Sequence, residues 1–474
     1  MNSVLIEIHV APALAAIVAQ LQALHETVIA LPDLKAFEKT VHEELKSIDR
    51  QVLEGLLVEK ITTGGAAATR EVRCRHCASG WAILREPQAP RYAVTVRGRI
   101  DFTRPVYRCD HADCARERSP VDEELGLAPK AHYTRLMENK VAWAGTTESS
   151  FAQASKHMEH QVEIAVSPSE IQRVTERVGR RALALQDEEV KQRGAPASLE
   201  APIPTQERPE TVVIEMDGTC VMGRDGTGHE VKCATVFGLD ARAVTGSPGK
   251  ERPLLLRRCY CATSLGIRAF GAMVWALASG WGVRSARRVV VIGDGGDWIW
   301  NYSRDRLHFT LPNGRVVKPV EILDFYHAAE NLGKARAEIF ADAESAPAKA
   351  WFEQWRHRLR QGEVEAVIEE LDKRVTAAKK NPKRYDALRV RRNYFVEHRE
   401  RMRYLEYEAQ GLPIGSGAIE GTCKNLVKGR MDGVGMRWDV EEGIELMTAL
   451  RVRLFNDRWE DLWAVRQDPD AQAA

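Results

Sequence analysis

Two apolar runs, Ile214-Glu215-Met216-Asp217-Gly218-Thr219 and Val289-Val290-Val291-Ile292-Gly293-Asp294-Gly295, each end in an aspartate followed by glycine. A β-forming run that stops on Asp-Gly sets a carboxylate at the C-terminal tip of a strand, where backbone can approach a ligand closely. Two such tips side by side would make a metal site. A third carboxylate, Glu420, lies far downstream in Pro413-Ile414-Gly415-Ser416-Gly417-Ala418-Ile419-Glu420, which reads as a loop entering a helix. The trio Asp217, Asp294 and Glu420 points to metal-dependent phosphoryl chemistry on nucleic acid.

The size of the chain allows more than this one site. Its 474 residues, at roughly 100–200 per domain, should hold about three or four domains. A formal net charge of +1 offers no global attraction to a polyanion, so any nucleic-acid surface must come from local segregation of lysine and arginine. The nine cysteines include two close pairs and otherwise lack the spacing of a secreted scaffold, which predicts an intracellular protein. No basic leader or membrane-length apolar run is visible, since Glu7, His9 and Pro12 interrupt the apolar start.

Residues 1–65 read as a helical segment, with Phe37, Val41, Leu45, Ile48 and Val52 at helical intervals. This is a packing or oligomerisation arm. In 66–128, Cys74 and Cys77 precede a predicted hairpin, Tyr92 to Val96 and Ile100 to Phe102, and Cys109 and Cys114 follow it. Two thiolate pairs at the ends of short strands are how a zinc ribbon is built, because Zn²⁺ takes four soft ligands tetrahedrally. A ligand swap to His76 or His111 is the competing assignment. In 129–193, a capped helix from Glu148 to Ser155 and a second opening at Ser167-Pro168-Ser169-Glu170 suggest a helix-turn-helix unit presenting Ser169, Gln172, Arg173 and Arg177 to a DNA groove. Plain helix packing is the rival there. The Pro-rich stretch 194–210 reads as a linker.

From 211 the pattern turns strand-rich: 211–219, 231–239 and about 255–263, a helix across 266–279, the strand 289–293, and one ending at Asp324. Three strands, a helix and a fourth strand bearing the second aspartate is the order of an RNase H-like fold, in which the first and fourth strands are neighbours. Asp217 and Asp294 would then lie together, and carboxylates that close call for cations between them. The overall expectation is an α/β chain: an RNase H-like core in 211–330 and 412–465, a helical insertion in 331–411, and a tail in 466–474.

The motifs Met216-Asp217-Gly218-Thr219, Gly293-Asp294-Gly295-Gly296-Asp297-Trp298-Ile299, Asp324-Phe325-Tyr326-His327 and Gly415-Ser416-Gly417-Ala418-Ile419-Glu420, running on to Lys424, Lys428, Gly429, Arg430, Met431, Arg437 and Trp438, resemble those of bacterial insertion-sequence transposases of the DDE type, in the Mutator-related group and nearest the ISKra-type elements. The likeness covers roughly 74–460. It implies a catalytic triad of Asp217, Asp294 and Glu420 holding Mg²⁺ or Mn²⁺, an accessory pair Asp324 and His327, and structural Zn²⁺ on Cys74, Cys77, Cys109 and Cys114. It also implies double-stranded DNA as partner, through the transposon ends and a target, and a homodimer or higher oligomer on that DNA. Such a protein would work in the cytoplasm, at the nucleoid.

Within the site, Asp217 is preferred over Glu215, which sits further from the strand tip, and Asp294 over Asp297. Asp324 and His327 read either as ligand and phosphate contact or as a structural pair at a strand-helix junction. Lys424 and Lys428 follow Glu420 at four-residue steps and should share its helix face, with Arg430 and Trp438 continuing a DNA surface. The cationic and aromatic tract from Lys379 to Tyr404 suits phosphate and unstacked bases, or alternatively a solvated face. A non-catalytic DNA-binding descendant and a metal-dependent RNase H-like nuclease are the rival functions.

Overall fold

The structure, a computed structural model, describes residues 12–29, 31–63, 69–77, 80–128, 131–194, 209–245, 252–255, 257–311 and 313–464. Most of the expected linker 194–210 and all of the tail 466–474 fall outside these residues. Two compact units divide the chain, one formed by 1–175 with 463–474 and the other by 176–462. Among the described residues no helix is long and apolar enough to cross a membrane.

The first unit opens with two helices, α1 (Pro12–Ile29) and α2 (Leu34–Thr63), as the helical spacing predicts. A four-stranded antiparallel sheet follows in the order β1 (Glu71–Arg73), β2 (Trp81–Thr95), β3 (Gly98–Cys109) and β4 (Glu117–Arg118). The hairpin turns at Arg97-Gly98, where Gly98 takes a left-handed φ of 110° that a side chain would resist. Ala93, Ile100 and Phe102 from the hairpin bury against Val121 and Leu127, near the short helix α3 (Pro120–Glu124), and Leu57 and Ile61 of α2 close over them.

Helix α4 (Arg135–Thr147) is then followed by α5 (Phe151–His157) and α6 (Pro168–Gly194). Their ends follow from the sequence: Ser150 Oγ accepts from Gln153 N, and Ser167 Oγ accepts from Glu170 N just before Pro168, each satisfying an N–H of a helix start that has no partner within the helix. The chain passes between α5 and α6 through Glu163 in a left-handed conformation.

The second unit is built on a mixed sheet of six strands: β5 (Thr211–Met222), β6 (Gly228–Thr245), β7 (Arg252–Leu255), β8 (Cys259–Thr263), β9 (Arg288–Gly293) and, after the small hairpin β10 (Phe309–Thr310) and β11 (Val316–Val317), β12 (Val320–Leu323). The order is β12-β9-β5-β6-β7, with β8 also pairing with β6. The strand expected near 255–263 is thus two short strands on one partner. β12, β9 and β5 run parallel, whereas β6 is antiparallel to β5, β7 and β8. Helix α7 (Ile267–Gly280) and the short α8 (Asp297–Tyr302) bracket β9. The central strands read as near-continuous apolar runs because both faces are covered, and Val212, Val213, Ile214, Val290, Val291 and Ile292 are all buried.

After β12 come α9 (Phe325–Ile339), α10 (Ala346–Arg360), α11 (Val364–Ala377), α12 (Pro382–His398) and α13 (Tyr404–Ala409), the helical stretch expected between the core segments. The chain then returns to the sheet as α14 (Gly417–Thr422), a π-helical segment Cys423–Lys428, the single turn α15 (Gly429–Met431) and α16 (Gly443–Phe455).

Candidate functional site

Register places the two aspartates. Glu215 of β5 pairs with Ile292 of the parallel strand β9. Two residues further on, beyond the last parallel pair, Asp217 comes opposite Asp294; Asp294 follows the end of β9, but Asp217 is not at a strand tip as expected, because pairing with β6 carries β5 on to Met222. Both are half-buried. Each is turned by its own glycines, with Asp217 Oδ1 accepting from Gly218 N at 2.7 Å and Asp294 Oδ1 from Gly296 N at 3.0 Å. Gly295, at φ 111°, leaves room for the Tyr394 ring and His398, where a Cβ would sit 3.0 Å and 3.2 Å from them. Burial, and then the charge of Asp294, raises the pKa of Asp217.

Asp324 closes β12 and caps α9. Its Oδ1 accepts from Tyr326 N at 2.5 Å and His327 N at 3.1 Å, and its Oδ2 accepts from Ser416 N at 2.6 Å and from Ser416 Oγ. The side chain is fully buried. Burial opposes its ionisation, but the His327 and Ser416 donors outweigh burial and hold it below the ordinary carboxylate value. His327 Nδ1 lies 3.6 Å from Asp324 Oδ2, an ion pair rather than a hydrogen bond. That carboxylate, opposed by burial and helped by Asp294 and Asp217, lifts the imidazole to about 9. Asp324, His327 and Glu420 bring ligand atoms within 4.8 Å of one another.

The expected trio is therefore arranged differently from the reading of the sequence. The tight group is Asp324, His327 and Glu420, while Asp217 and Asp294 flank it and act on His327 through charge. His327 joins the group because Asp324 caps α9 through the Tyr326 and His327 amides, which sets the imidazole one turn beyond it. The donor set of carboxylates and one imidazole, with the exposed Glu420 at its open side, suits a hard or borderline divalent ion. Asp297 is exposed in the first turn of α8.

Sequence reasoning missed what holds Glu420 in place. Glu215, almost wholly buried, accepts from Ile419 N at 2.9 Å. Desolvation pushes its carboxyl up to about 8, against the pull of the Ile419 amide. Thr235, cross-strand from Glu215, meets Thr422 with hydroxyl oxygens 2.7 Å apart, and Cys423 Sγ lies 3.7 Å from Asp217 Oδ2. Phe325 N donates to Ile414 O at 2.8 Å. An acid, Glu215, set inside an apolar β-forming run was the available signal.

The expected DNA-contacting residues fall into two sets. Arg173, Lys424 and Lys428 are exposed and Arg177 is half-buried; Arg173 pairs with Glu170 of its own helix at 2.6 Å. Arg430 and Trp438 are buried, which corrects their placement on a DNA surface. The Arg430 guanidinium stacks 5.0 Å from the Trp438 ring, burial lowers its pKa to about 10, and Trp438 Nε1 donates to Met431 O at 3.0 Å. A π-helical turn over Cys423–Lys428 breaks the four-residue register that would align Lys424 and Lys428 with Glu420. In the 379–404 tract, Phe395 and Tyr404 are core residues, Tyr394 Oη donates to Asp294 O, and Arg401 pairs with Glu321. These aromatics brace the sheet instead of offering a stacking surface.

In the first unit, Cys74, Cys77, Cys109 and Cys114 form a group whose sulfurs lie within 4.8 Å of one another. The Cys74–Cys114 separation is 3.8 Å and the Cys77–Cys109 separation 3.5 Å. A tetrahedral ion with bonds of about 2.3 Å sets sulfurs about 3.8 Å apart, so the group fits a soft metal such as zinc. Gly80 packs so closely that a Cβ would meet both the Cys77 and Cys109 sulfurs at 2.7 Å. The His76 and His111 rings are not in the group. Amides of His76 and Cys77, acting against burial, bring Cys74 down to about 7, a thiol ready to ionise.

No family model matches this chain, and a search of the curated proteins finds no match.

Proposed function

We propose that this chain is a DNA transposase of an insertion sequence, which cleaves element ends and joins them to target DNA at the Asp217, Asp294 and Glu420 site. The observation that carries the reading is the strand order. Parallel neighbours β5 and β9 bear the two aspartates, and the sheet order β12-β9-β5-β6, with β7 and β8 both on β6, is compatible with an RNase H-like core. Glu420 arrives on a helix bonded to β5, after a helical stretch in the position of an insertion. On this reading the cysteine group is a zinc ribbon, and α5 with α6 form a helix-turn-helix unit offering Arg173 to duplex DNA.

The chain's own residues then have definite tasks. Asp217, Asp294 and Glu420 would hold Mg²⁺ or Mn²⁺, with His327 beside them able to hydrogen-bond a phosphate oxygen. When bound, the divalent ions supply Lewis-acid activation of the phosphate and of the attacking oxygen. Lys424 and Lys428, exposed on the helix beyond Glu420, add cationic contacts to the sugar-phosphate backbone. Pairing two DNA ends requires at least a homodimer, acting at the nucleoid.

The test is excision of a marked plasmid insert bounded by the DNA that flanks the gene, in a heterologous bacterium, with wild type against Glu420→Gln. Excision by wild type alone is expected, with loss of at least about 100-fold in the variant, as befits removal of a metal ligand. Equal excision by both would remove Glu420 from the chemistry. Specific binding to the flanks without excision would favour a non-catalytic DNA-binding descendant.

A further inference from the structure

Resting on that reading of the site, we propose that Glu215 is a positioning residue, whose buried carboxyl grips the main chain at Ile419 and so sets where Glu420 reaches. The first N–H groups of a helix have no partner within it, and an N-cap side chain normally supplies one. Ser416 stands at the N-cap of α14 but makes no capping bond. Its hydroxyl and its amide are both committed to Asp324. Ile419 N donates within its own turn to Ser416 O at 3.1 Å, and Glu215, reaching across from β5, accepts from the same N–H at 2.9 Å.

The same helix is tied down at further points along one face of the sheet. Glu215 and Asp217 are two apart on β5 and share that face, and Thr235 pairs with Glu215 across to β6. Glu215 meets Ile419, Thr235 meets Thr422 and Asp217 meets Cys423, so the three contacts fall at positions i, i+3 and i+4 of one helical stripe. Glu420 lies one residue off that stripe, beside Asp324 and His327. A backbone gripped from β5 by one acid and from the end of β12 by another has little freedom to rotate. Glu420, itself exposed, owes its direction to those two grips. Glu215 touches no reacting atom on this account and acts only through Glu420.

The test uses the full-length chain and supercoiled plasmid DNA, with Mn²⁺-dependent nicking as the activity. Glu215→Met keeps the volume and removes the acceptor, whereas Glu215→Gln keeps an acceptor oxygen. Misplacing a ligand by about 1 Å costs on the order of 100-fold. Glu215→Met is therefore expected to lower kcat about 100-fold with KM for DNA within about 2-fold, and to raise the Mn²⁺ concentration for half-maximal nicking about 10-fold. Glu215→Gln should restore all three to within about 3-fold of wild type. Hydrogen exchange of segment 416–422 supplies a readout independent of catalysis: faster in Met and restored in Gln.

A Met variant with wild-type kcat, metal response and exchange overturns the positioning role, as does a Gln variant as impaired as Met. Asp217→Asn runs alongside. If it nicks like wild type, the proposed function falls, and the exchange data still decide the role of Glu215. Should Glu215→Met fail to fold, Glu215→Thr, β-branched and suited to a strand but too short to reach Ile419, is carried through the same measurements.

Discussion

Exchanging Glu215 for glutamine should change how the stability of the second unit depends on pH. Burial lifts the folded-state value of Glu215 from an ordinary 4.5 to about 8. Between those values the native state keeps a proton that the unfolded chain releases, so stability falls as pH climbs from about 4.5 and levels off beyond about 8. At 1.36 kcal/mol per unit, the loss is about 5 kcal/mol across the window and about 3 kcal/mol by pH 7. Glutamine does not titrate. The variant's curve should lack that slope, and its difference from wild type cancels every other titrating group the two share. Native-state hydrogen exchange of the β5 amides, in buffer without added divalent cations, isolates this unit without assuming that the chain unfolds in one step. The gap in opening free energy should be below about 1 kcal/mol at pH 5 and reach about 3 kcal/mol in favour of Glu215→Gln at pH 7. A gap that stays constant between pH 5 and 8 would refute the reasoning, because Glu215 would then not be holding a proton in that window.

Asp324→Asn should behave in the opposite way, losing about 2–4 kcal/mol at any pH above 5: all four donors around Asp324 need acceptors, and an amide must turn its NH₂ toward one set. Thermal unfolding against wild type checks this, and an unchanged midpoint would contradict it. His327, lifted to about 9, contributes stability that is complete below its ordinary 6.5 and lost as pH rises through 9. With a third of its side chain exposed, His327→Gln should cost about 1–2 kcal/mol at pH 6 after solvent screening and nothing at pH 10, which denaturation at the two pH values measures. Purified protein should carry one zinc per chain, removable by chelator, with faster hydrogen exchange across 71–118 afterwards; Cys109→Ser should purify without it. Exchange in that segment unaffected by chelation would show that the cysteines are not a metal site.

Much of the fold could be read in the order of runs along the chain. The apolar strand ending at Asp294, the capped start of α6 at Ser167-Pro168 and the cysteine hairpin are local patterns, and each forms where its residues dictate; the Asp217-Gly218 stop does not hold, because pairing with β6 extends β5 to Met222. Residues whose neighbours come from distant sequence were harder to place. Arg430 and Trp438 looked like a polar continuation of the Glu420 helix, but each supplies what the other needs when buried: a cation over an aromatic face, and an indole N–H within reach of Met431 O. The tract 379–404 failed in a similar way. Its composition resembles that of a DNA surface, but Phe395 and Tyr404 are buried in the core and Tyr394 is bonded to Asp294 O, while members such as Lys379, Lys380 and Arg389 are exposed.

The site divides along the same line. Chain order and register are enough to bring Asp217 beside Asp294, because a parallel pair with Glu215 opposite Ile292 leaves the next inward-facing positions adjacent. Spacing carries no information about which other group stands beside the acids. His327 fills that place because α9 starts immediately after β12, and Asp324 fixes the first turn through two main-chain bonds. The same aspartate binds Ser416 and so draws in the loop that brings Glu420. One buried acid therefore couples the order of α9 to the position of Glu420, almost a hundred residues away. A divalent cation bound beside an imidazolium is repelled by it, so metal binding there favours loss of the His327 proton. Mn²⁺ affinity should accordingly rise with pH up to about 9, the value of His327, and His327→Gln should flatten that rise. A wild-type affinity independent of pH from 6 to 9 would mean that the imidazole does not stand beside the bound metal.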